Sequence, residues 1–165
     1  MGLDSEHQPF LCNLATAELL PTMTFRLWVM AFQHPRSSIG NWKDGFASAR
    51  LDQANVEAFD ILGRTIVAAR FGCIDVRWPY SQRLGEDEMR LLNCFRIMQR
   101  QETHKAILRL SAWLEPTGAR MAFGPVYHLT ESFRDAGLWF PERDIHPGLE
   151  RAVGTCDWMN STTLH

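Results

Sequence analysis

Apolar residues three and four positions apart recur in successive runs along this chain, and most runs are closed by proline or glycine. That spacing follows the 3.6-residue turn of an α-helix, so each run marks a helix that must bury one face against its neighbours. Phe25, Trp28, Val29 and Phe32 make one stripe, stopped at His34-Pro35 because the residue before a proline avoids helical geometry. Asn41 reads as the cap of a short turn pair carrying Trp42, Phe46 and Ala49. Val56, Phe59, Leu62 and Ile66 line a longer helix over residues 52–70, with Asp60 and Arg64 four apart on its other side.

Further along, Leu91, Leu92, Cys94, Phe95 and Met98 form the broad apolar side of a helix opened by Glu86, Asp87 and Glu88. Ile107, Leu110 and Leu114 predict another helix, broken at Pro116-Thr117-Gly118. Ala122, Val126, Leu129, Phe133 and Ala136 predict the last, which begins or kinks at Pro125 and stops at Gly137. Residues 10–20 are apolar enough for an irregular piece or one to two helical turns ended by Pro21. The expectation is a mostly α, single-domain helical bundle of about five helices.

One segment departs from this period. Ile74, Val76 and Trp78 alternate with Asp75 and Arg77 before Pro79, the period of two of a half-buried strand, so one short β-strand is expected near 73–78. A single strand leaves its own amides and carbonyls unmatched, and it must find a neighbour. The candidates are residues 138–140 of the same chain or the same segment of a second copy, and the latter makes a homodimer.

Length and composition bound the rest. The 165 residues suffice for one domain with tails, expected as a flexible leader over 1–8, a helical domain over 9–141 and an irregular C-terminal tail over 142–165, which docks through Trp158 or stays loose. No internal repeat is evident. With 45% hydrophobic and 22% charged residues, the chain is neither collagen-like nor wholly disordered. Its net charge of -2 gives no general basic field to attract nucleic acid. Four cysteines without a C-x-x-C pair, and an N-terminus without a basic signal region, suggest a cytoplasmic protein with reduced thiols. No apolar window approaches the roughly 20 residues of a membrane span, so no membrane partner is expected.

The densest mixture of charge and aromatic groups is Asp75, Arg77, Trp78, Tyr80 and Arg83, a combination suited to gripping an acidic peptide or stacking on a base. His128, Glu131 and Asp135 share a helix face and form a weaker metal or acid–base candidate, whose plainer reading is a solvated side. Glu86, Asp87 and Glu88 are read as helix-start charges rather than as paired catalytic carboxylates, because the helix dipole favours anions there. Cys73 and Cys94 sit among apolar neighbours and read as buried, unreactive thiols. Arg90, Arg96, Arg100 and Arg109 make an incomplete basic stripe for nucleic acid. No nucleophile-elbow, phosphate-loop, dinucleotide or zinc-protease motif occurs, and no cofactor is expected. The reading is a non-catalytic regulatory or protein-interaction domain that self-associates through the 75–83 region. The alternatives are a nucleic-acid-binding regulator, or a small-molecule or metal-dependent enzyme.

Overall fold

The structure, a computed structural model, describes residues 10–143. The sequence-marked leader and most of the tail, with Trp158, lie outside the described residues. Within them six α-helices follow a single 3-10 turn at Leu11–Asn13: α1 (Thr16–Gln33), α2 (Asp44–Ser48), α3 (Gln53–Ala69), α4 (Glu86–Gln99), α5 (Thr103–Trp113) and α6 (Pro116–Asp135). The apolar stripes turn inward as their spacing requires. Phe25, Phe46, Phe59, Phe95, Phe133 and Phe140 are buried together, with edge-on contacts such as Phe46 on Phe59 (5.3 Å) and Phe95 on Phe133 (5.2 Å).

Two proline boundaries differ from expectation. Pro21 does not end the first helical piece; α1 runs through it, and the prolines cost less than the buried faces on either side contribute. Pro116 occupies the first position of α6, where its missing amide is one the helix could not have paired anyway, and the helix continues through Pro125. The N-terminal turn of α6 lies close on the C-terminal turn of α3: a Cβ at Gly118 would fall 2.1 Å from that of Ala69.

The expected strand is not there. Residues 73–78 take neither helical nor strand structure, and the β-pairing among the described residues is limited to isolated bridges, Phe10 with Arg83 and Arg70 with Leu114. The expected alternation holds only in part: Ile74 and Val76 pack on the core, whereas Trp78, expected on the same inward face, is exposed. The backbone partners, however, are side chains of α4.

Helices α1 and α4 are antiparallel and laced at two stations, Glu18 with Arg96 and Arg26 with Glu88. Each glutamate stands at the third position of its helix and accepts the amide of the capping residue, Ala15 at 2.9 Å and Gly85 at 2.5 Å. The capping residues have no side-chain oxygen of their own, so the glutamates supply half of a capping box. Cys12 and Cys94 are free and burial pushes the Cys94 thiol up to about 12, whereas Cys73, expected as a reduced thiol, is disulfide-bonded. No helix of the described residues is long and apolar enough to cross a membrane.

Candidate binding site at the 75–83 loop

Behind the loop lies a buried polar network. Arg26 is fully buried, with Nε 2.5 Å from Glu88 Oε1 and Nη2 3.2 Å from Glu88 Oε2. Its remaining donors reach the carbonyls of Pro79 (3.4 Å), Ser81 (2.7 Å) and Arg83 (2.7 Å). A buried guanidinium is tolerable only when its fork of donors is met, and here one side chain fixes three loop carbonyls while neutralising one carboxylate.

Asp87 and Glu88 do for the loop what a neighbouring strand would have done. The Asp75 amide donates to Asp87 Oδ2 (2.6 Å) and the Arg77 amide to Glu88 Oε1 (3.3 Å), the alternate positions whose amides point one way in an extended chain. In return the Asp87 amide donates to the Asp75 carbonyl (3.2 Å), and the Glu86 amide to Asp75 Oδ2 (2.8 Å). Asp87 also accepts Trp113 Nε1 (2.8 Å), and Arg70 Nε lies 3.1 Å away as a charge partner without hydrogen-bond alignment. Burial pushes the Asp87 carboxyl above the ordinary aspartate range, outweighing the pull of the Asp75 amide, Arg70 and Trp113 in the other direction. Gly85 is fitted to this packing, because a Cβ there would lie 2.2 Å from the Asp75 carbonyl oxygen.

Held from behind, the loop presents its other side to solvent. Trp78 is 46% exposed and Tyr80 73% exposed, and the Arg83 guanidinium lies 5.8 Å over the ring of Phe10, itself exposed. A cleft of about 240 Å³ opens between the C-terminal half of α1 and the loop. Val29, Met30, Ile74 and Val76 supply its apolar lining, and Arg77, Trp78, Gln33 and His34 its polar and aromatic rim. Arg77 is paired only loosely: Nη2 donates to Asp75 Oδ2 at 3.5 Å, and Nε lies 3.3 Å from Oδ1 without a hydrogen bond.

The five residues singled out in the sequence therefore stay together, but in different roles. Asp75 is partly buried and structural, Arg77, Trp78 and Tyr80 face outward, and Arg83 contributes its carbonyl to Arg26 and its guanidinium to Phe10. Of the residues beneath them, Arg26 escaped the sequence reading, and Asp87 and Glu88 entered it only as helix-start charges. The signal for Arg26 and Glu88 was the pattern Glu-x7-Arg, which occurs at Glu18 and Arg26 and again at Glu88 and Arg96, with phenylalanine before each arginine.

The other candidates do not assemble. His128 and Asp135 are exposed and Glu131 pairs with Arg134 at 3.0 Å; among the described residues no three His, Cys, Asp or Glu side chains are grouped to hold a metal ion. Nor do the arginines of α4 and α5 form a free stripe. Arg96 is buried against Glu18, Arg90 pairs with Glu86, and Arg100 pairs with Glu142. Comparison of the chain with protein-family models, curated proteins and solved structures gives no match.

Proposed function

We propose that this chain is a non-catalytic interaction domain that presents the 75–83 loop and its adjoining cleft to a partner polypeptide. The observation that carries this reading is the pairing of exposed aromatics, Trp78 and Tyr80, with a backbone immobilised by Arg26, Asp87 and Glu88. An aromatic anchor on a preorganised loop loses little conformational entropy on binding, and such anchors dominate protein interfaces. Self-association through a paired strand would have to use the other edge of the segment, because the Asp75 and Arg77 amides already have acceptors within the chain.

The test is site-directed photocrosslinking in the native host, with the reactive group at Tyr80 and a control at Leu108, an exposed position on α5. A discrete adduct from position 80, lost when Arg77→Glu is added, supports the reading. An adduct with a second copy of the chain would identify the partner as itself. The same adducts from positions 80 and 108, or none from 80, would overturn it.

A further inference from the structure

We infer that the cleft between α1 and the 75–83 loop takes an apolar side chain of a partner polypeptide flanked by a carboxylate, that is, an acidic peptide with a hydrophobic anchor. This rests on the proposed interaction role and names the chemistry of the partner. The cleft, at about 240 Å³, is smaller than the roughly 300–1,000 Å³ of drug-sized sites, and suits one or two side chains. Val29, Met30, Ile74 and Val76 give part of its lining an apolar surface that would seat such a side chain, and polar surface beside it would meet the carboxylate.

The charged side chains among the described residues lining the cleft are Arg26 and Arg77, and the carboxylates paired with them, Glu88 and Asp75, are not part of that lining. Arg26 is spent on Glu88 and three carbonyls, so it forms a satisfied inner wall. Arg77 is different. Its amide is tied to Glu88, which fixes the residue in place, while its guanidinium holds Asp75 only through long contacts. Asp75 also accepts the Glu86 amide at 2.8 Å, which holds its carboxylate in place beside the guanidinium. An incoming carboxylate would meet a forked donor already positioned, beside the exposed face of Trp78. Peptides bearing positive charge would meet Arg77 with the wrong sign.

The test is an NMR titration of the full chain, observing the methyl groups of Met30, Ile74 and Val76. The probes are the blocked tripeptide acetyl-Glu-Phe-Glu-amide and its charge-inverted counterpart acetyl-Lys-Phe-Lys-amide. The expected result is a saturating shift of these methyls by the acidic peptide, at least about ten-fold tighter than by the basic one. In Arg77→Glu the preference should reverse, and Arg77→Gln, a milder change, should erase it. Equal binding of both peptides, or no shift at concentrations up to about 10 mM, beyond even weak millimolar affinity, would overturn the inference. Methyl shifts that grow with protein concentration alone would also overturn it, since a second copy would then fill the cleft. If the peptides fail while position 80 still crosslinks a partner, the cleft chemistry falls and the interaction role stands.

Discussion

Two segments without regular structure, residues 73–83 and 138–143, lie against the two ends of α4, and α4 holds both with side chains where a sheet would have used a strand. At its N-terminal end Asp87 and Glu88 accept the amides of Asp75 and Arg77. At its C-terminal end Gln99 works both ways: Nε2 donates to the Leu138 carbonyl (2.8 Å) and Oε1 accepts the Phe140 amide (2.9 Å). Arg96 Nε donates to the Pro141 carbonyl (2.9 Å) as Arg26 does to the loop. The segments differ in what they bring. The second inserts Phe140 into the aromatic core, 7% exposed, and closes over Glu18 with Arg143, whose Nη2 is 2.7 Å from Oε2. The first inserts no aromatic residue at its tip and leaves Trp78 and Tyr80 outside, next to a cleft. Equal anchoring with opposite orientation of the aromatics separates a strap that stabilises from a loop built to be touched.

The largest expected effects fall on the anchors. Glu88→Ala leaves Arg26 buried without its counter-charge and should cost about 3–5 kcal/mol in denaturant unfolding. Replacing both partners, Arg26→Met with Glu88→Leu, should recover much of that loss while loosening the loop carbonyls. Phe140→Ala should cost a similar ~3–5 kcal/mol by opening a cavity against Phe95 and Phe133. Gln99→Ala strands the Leu138 carbonyl and the Phe140 amide, a smaller loss of about 1–3 kcal/mol, and should speed hydrogen exchange of 138–140 without touching 75–77.

The two ends of α4 also differ with pH, through Glu18 packed on one and Asp87 in the other. Burial acts to raise the Glu18 carboxyl, but the Arg143 pair, the Ala15 amide and Arg96 together hold it below its ordinary value of 4.5. Its contribution is therefore present in full above that value and is lost as pH falls through the lower folded value. Asp87 is shifted the other way, so its contribution is present below its ordinary value of 3.8 and is lost as pH rises through the folded one. Acid titration of stability in Glu18→Gln should show a flatter acid limb than the parent chain. The smallest effect on folding is expected from Trp78→Ala, within about 0.5 kcal/mol, and yet this change should weaken partner capture most. Phe140 and Trp78 thus make a matched pair of aromatic deletions with opposite consequences.

Much of the bundle was legible because helices write their buried faces at regular spacing. The stripe Val56, Phe59, Leu62 and Ile66 became α3, with Asp52 capping it through the Asn55 amide (3.1 Å). Proline was harder to read locally, since tertiary burial decides whether a helix passes through Pro21 or Pro125. The period of two at 74–78 placed Ile74 and Val76 inward but misplaced Trp78, which is exposed, and it misidentified the backbone partner, because alternation says nothing of what accepts the amides. The Glu86–Glu88 triplet was explained by the helix dipole, an account that suffices for the partly exposed Glu86 but not for Asp87 and Glu88, whose full burial depends on Arg70, Arg26 and Trp113 from distant parts of the chain. The outer candidates Arg77, Trp78 and Tyr80 were visible as composition; the cleft beside them, formed with Val29, Met30 and His34, required the packing of α1 on the loop.

Native-state hydrogen exchange of the Asp75 and Arg77 amides probes the anchoring of the loop by α4 most directly. Both should be protected in the dilute chain, to the same degree at every protein concentration, and the Arg77 amide should lose protection in Glu88→Ala and the Asp75 amide in Asp87→Ala. Exchange as fast as that of an open loop, or protection that appears only as the protein is concentrated, would mean that α4 does not hold the segment and that another chain must.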